Sequence, residues 1–224
     1  GAILYDLKND QILYENILKK SKVLDIIKIC EENSIFYNIY TEKEILAKSL
    51  NFNVLYYHKE NLNKDGNNKT HINIIENLYD YLFEREEKIL KITICDNNQA
   101  IFNSILKKLK EISDIEVLEV SHMSRKIIRQ GTEEIPIEYF YTEISAKNVD
   151  KWDAIEELAK RLGIKIEEIM AIGDNINDKK MIENAGMGVV MEGSSPEVVK
   201  VANYVTDSND NNGAANALKK LILE

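Results

Sequence analysis

The sequence predicts an α/β protein with two parts, a doubly wound core sheet of parallel strands and a separate α+β unit. From Asp150 onwards, short apolar strands alternate regularly with helices, an order typical of parallel strands in a doubly wound sheet. Between residues 19 and 142 the strands are partly polar and the alternation is irregular. That pattern favours an α+β arrangement for the middle of the chain.

The core is therefore predicted to comprise residues 1–18 and 143–224, and residues 19–142 to form an inserted domain. Residues 2–5 and 12–14 are short strand-like runs on either side of a turn near Asn9 and Asp10, which indicates a hairpin. In the last third, the expected elements are a helix ending at Gly163, strands over 169–172, 188–191 and 204–206, a helix from Pro196 and a final helix reaching Ile222.

Spacing of apolar residues predicts the elements of the inserted domain. Val23, Ile26, Ile27 and Cys30 are spaced for one face of a helix. Further helices are expected around Ile75, Leu78 and Leu82 and around residues 101–109, and strands at 35–40, 54–58, 90–95, 115–120 and 137–144. Pro136 indicates an edge or the start of the last of these strands.

Composition excludes several classes of function. The 224 residues suffice for one large domain or two small ones. With 29 basic and 38 acidic residues the net charge is −9, which argues against nucleic acid or an anionic membrane as a partner. An anionic substrate would need local positive charge from a placed lysine or a metal ion.

Cysteine content and hydropathy predict a cytoplasmic protein. Cys30 and Cys95 are too few for a disulfide framework and too scattered for a zinc site. The chain has no apolar run of the roughly 20 residues that span a bilayer and no signal peptide. Because the first residue is Gly1 and not Met, we expect the printed chain to belong to a longer product.

The segment Gly173-Asp174-Asn175-Ile176-Asn177-Asp178 carries the strongest chemical signal. It follows a buried strand and opens a helix, and ligands of open α/β sheets bind at the carboxyl ends of strands. Gly173 allows a tight turn, and Asp174 and Asp178 could converge on one cation such as Mg²⁺. Asn177 lies where a helix N-cap is expected, beside N–H groups that favour an anion.

This segment has two other interpretations. Asp and Asn are common in strand-to-helix turns because they cap helices, so the turn could be purely structural. A calcium loop is excluded by its spacing, because an EF-hand needs oxygen ligands at positions 1, 3 and 5 and Gly at 6. Counting from Asp174 gives Ile176 and Lys179 at positions 3 and 6, and counting from Asp207 gives Asn212 at position 6.

Lys151 is the second candidate. Asp150 is the expected N-cap of the following helix, so Lys151 would face the positive end of the helix dipole, which costs about 0.3–1 kcal/mol. A residue that is locally unfavourable for its secondary structure often marks a functional site. The alternative is a solvated lysine that pairs with Asp153.

From about residue 144 to 222, the chain resembles the C-terminal half of the Cof-type haloacid-dehalogenase-like phosphatases. Four segments carry the resemblance in order and spacing: Lys151-Trp152-Asp153-Ala154-Ile155, Ile172-Gly173-Asp174-Asn175-Ile176-Asn177-Asp178, Met181-Ile182-Glu183-Asn184-Ala185-Gly186-Met187-Gly188-Val189-Val190-Met191 and Ser208-Asn209-Asp210-Asn211-Asn212-Gly213. The resemblance implies a Rossmann-like core with an inserted α/β cap, a small phosphorylated metabolite as substrate and Mg²⁺ as cofactor.

The resemblance also implies roles for individual residues. In that family an aspartate of an Asp-x-Asp-Gly-Thr motif attacks phosphorus, and the motif's second aspartate is general acid and base. Lys151 matches the catalytic lysine that holds phosphoryl oxygens, and Asn177 the substrate-contacting asparagine. Asp174 matches the metal-binding aspartate, and Asp178 the acidic residue that supports the metal site. Such a lysine and metal supply the positioning and charge neutralisation that phosphoryl transfer needs.

The sequence departs from the family in three places. It contains no Asp-x-Asp-Gly-Thr; at roughly 30 residues per βαβ-type unit, about two units with the central strand are expected to precede Gly1. Trp152 replaces the usual Gly and would narrow the entrance, and Glu192-Gly193-Ser194 replaces Gly-Asn-Ala.

Three functions remain open at this point. They are a phosphomonoesterase of which this chain is part, a truncated chain that binds metal or a partner without turnover, and a phosphomutase of the same superfamily. The expected partners are the missing N-terminal segment or a second copy of the chain.

Overall fold

The computed structural model describes residues 1–118, 123–130 and 133–223. Within it the chain divides into two compact units, residues 1–15 with 148–224 and residues 16–147. Both units mix helices and strands, so the predicted α/β class is confirmed. In the described part of the chain, no helix is both long and apolar enough to cross a membrane.

The elements are numbered in chain order. The helices are α1 (Lys20–Glu32), α2 (Phe52–Glu60), α3 (Leu78–Glu84), α4 (Gln99–Leu109), α5 (Lys151–Leu162), α6 (Lys179–Asn184), α7 (Pro196–Val199) and α8 (Gly213–Leu218). The strands are β1 (Ile3–Asp6), β2 (Gln11–Glu15), β3 (Phe36–Thr41), β4 (Ile45–Ala47), β5 (Ile72–Ile74), β6 (Ile89–Asp96), β7 (Ile115–Val117), β8 (Ser124–Gln130), β9 (Glu133–Ala146), β10 (Met170–Gly173), β11 (Met187–Met191) and β12 (Tyr204–Thr206).

The first unit contains a parallel sheet and the predicted N-terminal hairpin. Strands β10, β11 and β12 lie in that order and are all parallel, as their continuous apolar character predicts. Strands β1 and β2 pair antiparallel. The hydrophobic core of the parallel sheet includes Ile182, Val190 and Val198, which are fully buried. This sheet places the turn after β10 at the carboxyl end of a strand.

Trp152 belongs to the core of this unit. Its side chain is 5% exposed and packs with Ala171 and Ala185. The expectation that Trp152 narrows an entrance is therefore wrong, because its indole fills space beneath α5. Burial of an aromatic side chain of this size stabilises the contact between helix and strand.

The second unit is built on a mixed sheet with the order β5-β4-β3-β6-β9-β7, to which β8 is added by pairing with β9. Side chains alternate between its two faces. One face carries fully buried Ile39, Ile92 and Ile144. The other carries Asn38 and Thr93, which are paired across β3 and β6. The sheet therefore has one apolar face and one face rich in polar side chains.

Several sequence-based assignments in this unit are wrong. Residues 54–58, predicted as a strand, lie in helix α2, whose N-cap is Asn51 and whose buried residues are Asn53 and Val54. The aromatic pair Tyr56 and Tyr57 resembles a strand locally, but tertiary packing decided in favour of a helix. Ile75, predicted as part of a helix, precedes α3. Pro136 lies inside β9 and not at its start. At that position β9 pairs only with β8 among the described strands, so the expectation of an edge position is confirmed. The end of the predicted strand 115–120 lies outside the described residues.

Candidate active site

Helix α5 begins at Lys151 and is capped by the residue before it. The Asp150 carboxylate accepts a hydrogen bond from the backbone N–H of Asp153 at 2.9 Å, which satisfies one of the free donors of the first turn. The helix ends at Gly163 in the left-handed conformation, with φ of 68°. Both predicted helix ends are confirmed, and Lys151 is held in the first turn.

Lys151 forms an ion pair with Asp178. Its ammonium donates to Asp178 Oδ1, and the two side chains are 47% and 4% exposed. The alternative in which Lys151 pairs with Asp153 is wrong, because Lys151 pairs with Asp178 and the Asp153 carboxylate pairs through its Oδ1 with Lys180. The structure thus brings together two candidate residues that are 27 positions apart in sequence.

The second oxygen of Asp178 holds the turn after β10. Asp178 Oδ2 accepts the backbone N–H groups of Asp174 at 3.1 Å and Asn175 at 3.2 Å. Burial alone would raise the pKa of Asp178, but the bonds from Lys151 and from these two N–H groups outweigh burial and leave the pKa below its ordinary value. Asp178 is therefore ionised near neutral pH and has both oxygens engaged.

Gly173 makes the approach of Asp178 possible. A Cβ atom at position 173 would lie 2.4 Å from Asp178 Cβ and 2.7 Å from its Oδ2. Gly173 is the last residue of β10 and does not have positive φ. The expectation that Gly173 is needed for a tight turn is therefore wrong. Glycine is needed there because only glycine leaves room for the buried Asp178 carboxylate.

We expect Gly173→Ala to lower the free energy of unfolding by about 1–3 kcal/mol, the usual cost of overpacking. The added methyl group would displace Asp178 and break its bonds to the turn. Urea denaturation of the variant measures this effect. The matched control is Gly66→Ala, because a Cβ there meets nothing within 4 Å. Equal stability of the two variants would contradict the steric role of Gly173.

The asparagines of the turn differ in position and contacts. Asn175 is the N-cap of the 3₁₀ turn over Ile176–Asp178, and its Oδ1 accepts the N–H of Ile176 at 2.7 Å. The prediction that Asn177 caps the helix is therefore wrong, since Asn175 caps the 3₁₀ turn and Asp178 occupies the N-cap position of α6. Asn177 is exposed, which leaves its amide accessible to a ligand.

Asp174 lies at the carboxyl end of β10 and is exposed. Within the described ranges, no hydrogen bond or ion pair engages its carboxylate, and no group of three His, Cys, Asp or Glu residues is arranged to hold a metal. Mg²⁺ usually takes one or two protein carboxylates and fills its other positions with water and phosphate oxygens. Asp174 fits such a ligand, whereas Asp178, with both oxygens occupied, fits an orienting carboxylate.

Lys180 is a residue of this region that the sequence did not reveal. Its ammonium donates to Asp153 Oδ1 at 2.8 Å and to Asp150 Oδ2, which joins α6 to the start of α5. These two carboxylates raise the pKa of Lys180 to about 12. A lysine on a short polar helix gives no sequence signal of this role, since the two aspartates are about 30 residues away.

Comparison with known proteins decides the family. A model of the haloacid dehalogenase-like hydrolase family matches residues 1–218. The chain belongs to this family. The matched region includes the capped helix, the strand β10 and the turn that follows it.

Individual relatives are longer than the printed chain. Phosphatase YwpJ of Bacillus subtilis is 26% identical over 237 residues, covering 99% of this chain and 77% of the relative. A Streptococcus pyogenes protein is 28% identical over an alignment of 199 positions that covers 84% of this chain and just under two thirds, 66%, of that protein. A solved haloacid dehalogenase-like hydrolase from Bacteroides thetaiotaomicron shares the fold, with a TM-score of 0.77 and 23% identity over 99% of this chain and 74% of its own.

Proposed function

We propose that this chain is part of a Mg²⁺-dependent phosphomonoester hydrolase that acts on a small phosphorylated metabolite in the cytoplasm. The observation that carries the proposal is the Lys151–Asp178 ion pair, which ties a cation to the turn at the carboxyl end of β10. The carboxyl end of this parallel strand offers the Lys151 cation, the Asp174 carboxylate, which is unpaired among the described residues, and the exposed Asn177 amide. Such a set of groups is suited to binding a phosphate ester. The relationship to phosphatase YwpJ supports the same reaction class.

Each residue has a proposed role. The Lys151 ammonium binds a phosphoryl oxygen of the substrate, and Asp178 holds it in position. Asn177 donates its amide to the substrate, and Asp174 supplies the metal ligand. When bound, Mg²⁺ would neutralise charge on the phosphoryl oxygens. Residues 19–142 are proposed to act as the cap that selects the substrate.

The nucleophile is proposed to come from outside the printed residues. The sequence contains no Asp-x-Asp-Gly-Thr. Lys151, Asp174 and Asp178 already have proposed roles in binding phosphate, binding the metal and orienting the lysine, so none of them is proposed as the covalent nucleophile. Strand β10 pairs only with β11 among the strands that the structure describes, so one of its edges is open. An open edge in a parallel sheet invites a further strand, either from a companion segment or from a second copy.

The experiment compares the full gene product with the 224-residue chain alone, each checked by intact mass. Phosphate release from a panel of phosphorylated metabolites is measured with Mg²⁺ and after chelation. We expect turnover by the gene product that is lost on chelation, and turnover by the isolated chain lower by orders of magnitude.

Two outcomes would contradict the proposal. Turnover by the gene product that persists after exhaustive chelation would contradict the metal dependence. Equal turnover by the verified 224-residue chain would mean that another carboxylate within it serves as the nucleophile.

A further inference from the structure

Two carboxylates lie beside Lys151 at the start of α5. Asp150 immediately precedes Lys151 as the N-cap, and Asp153 follows it by two residues in the first turn of the helix. A phosphate bound by Lys151 would therefore lie close to two negative charges. Because like charges repel, these carboxylates would weaken the binding of an anion unless a cation neutralised them.

Lys180 pairs with both of these carboxylates. Its ammonium donates to Asp153 Oδ1 at 2.8 Å and to Asp150 Oδ2. The side chains of Asp150 and Asp153 are 27% and 24% exposed, so salt screens these pairs less than it screens fully exposed ones. Lys180 lies on α6, two residues after Asp178. One short segment thus carries both the partner of Lys151 and the cation that pairs with its two acidic neighbours.

Asp153 depends on Lys180 for its charge balance. Lys180 provides the only ion pair of Asp153 in the described part of the chain. The other oxygen of Asp153, Oδ2, is buried and has no hydrogen-bond partner there. A buried carboxylate that loses its cation is costly, so loss of Lys180 would favour pairing of Asp153 with another cation. Lys151 is the nearest lysine in the sequence, and its long side chain is flexible enough to change partner.

We propose that Lys180 is a positioning residue for Lys151. By pairing with Asp150 and Asp153, it leaves the Lys151 ammonium to Asp178 and to a phosphoryl oxygen, and it neutralises charge that would repel the phosphate. This role of Lys180 rests on the proposed phosphate-binding role of Lys151. It differs from a tether between α5 and α6, because a tether requires the two carboxylates, whereas neutralisation is not needed once they are removed.

The test measures the affinity of the full gene product for inorganic phosphate in the presence of Mg²⁺ by titration calorimetry. Lys180→Met removes the charge of the side chain and keeps its approximate length. We expect it to weaken phosphate binding about five- to tenfold, the effect of one partly screened unit charge near the ligand. KM for a phosphate ester should rise by a similar factor.

The matched control is Lys160→Met, which also removes a paired lysine from the surface of α5. Lys160 lies about 14 Å from Lys151 along the helix axis, which exceeds the Debye length of about 8 Å at physiological salt. Its loss should leave phosphate affinity unchanged. Lys180→Arg keeps the positive charge and should bind phosphate as the wild type does.

The decisive arm is the double variant Lys180→Met with Asp153→Asn. Removal of the Asp153 charge should restore binding, so the double variant should bind phosphate about three- to fivefold more tightly than Lys180→Met alone. A tether predicts no such recovery, because the double variant lacks both ends of the contact. If Lys180→Met fails to fold, Lys180→Gln replaces it in both backgrounds.

Two results would overturn the role of Lys180. They are wild-type phosphate affinity in Lys180→Met and a double variant that binds no more tightly than Lys180→Met. Lys151→Ala in the same assay separates this role from the proposed function. If Lys151→Ala weakens phosphate binding and Lys180→Met does not, only the role of Lys180 is wrong. Unchanged affinity in Lys151→Ala would contradict the proposed phosphate site, and the role of Lys180 with it.

Discussion

Lys151→Ala is expected to lower kcat of the full gene product by about 10²–10³-fold, the usual effect of removing one preorganised donor from a transition state. The reason is that the Lys151 ammonium, fixed by Asp178, is proposed to stabilise charge on the phosphoryl oxygens. Steady-state kinetics on any substrate found in the metabolite panel measures this effect.

The control for Lys151 is a lysine on the same helix. Lys160 is 66% exposed and pairs with Glu156 at 3.6 Å, so Lys160→Ala should leave kcat unchanged, since exposed pairs contribute little. Lys151→Ala should lower the free energy of unfolding by about 1–3 kcal/mol, because Asp178 loses one bond. A lower free energy of unfolding reduces the fraction of folded protein. If the fall in kcat were no larger than this reduction, Lys151 would have only a structural role.

Asp174→Asn is expected to abolish most of the Mg²⁺-dependent turnover, with a decrease of more than about 100-fold. Removal of a residue that only orients a metal ligand typically lowers metal affinity or activity 10–100-fold. Asp174 is proposed to bind the ion directly, so its loss should have a larger effect. The readout is the Mg²⁺ concentration at half-maximal activity together with kcat at saturating Mg²⁺. Asp178→Asn should act through the position of Lys151 and of the turn, so it should alter kcat more than Mg²⁺ affinity.

Glu183→Gln is the matched control for Asp174. It removes an exposed carboxylate from α6, the helix that follows the turn. It should change neither the Mg²⁺ concentration at half-maximal activity nor kcat. An Asp174→Asn variant with wild-type Mg²⁺ dependence would show that the metal, if required, is bound by other residues.

Much of the first unit could be predicted because its signals are local. Asp150 as an N-cap, Gly163 as a C-terminal stop and the apolar strands are each encoded within a few residues of their position. Lys151 also gave a local signal, as a cation at the wrong end of a helix dipole. The pairing of Lys151 with Asp178 could not be predicted, because this contact depends on how α5 packs beside the turn.

Other features required the folded structure. The role of Gly173 depends on the space left for Asp178, and a glycine after a strand is equally typical of a turn. The segment 54–58 of helix α2 is wrongly predicted as a strand because its short aromatic run has strand-like composition. The contacts of the helix with the sheet, which include the bond from Asn53 to Asn38 of β3 and the packing of Val54, are long-range.

The most direct test of the proposed site is a crystal structure of the full gene product with Mg²⁺ and a phosphate-mimicking anion. We expect a metal ion at about 2.0–2.1 Å from an Asp174 oxygen and the Lys151 ammonium within hydrogen-bonding distance of the anion. We also expect Asp178 to retain its bonds to the N–H groups of Asp174 and Asn175. A metal bound elsewhere, or an anion that Lys151 does not contact, would contradict the assignment of this turn as the metal and phosphate site.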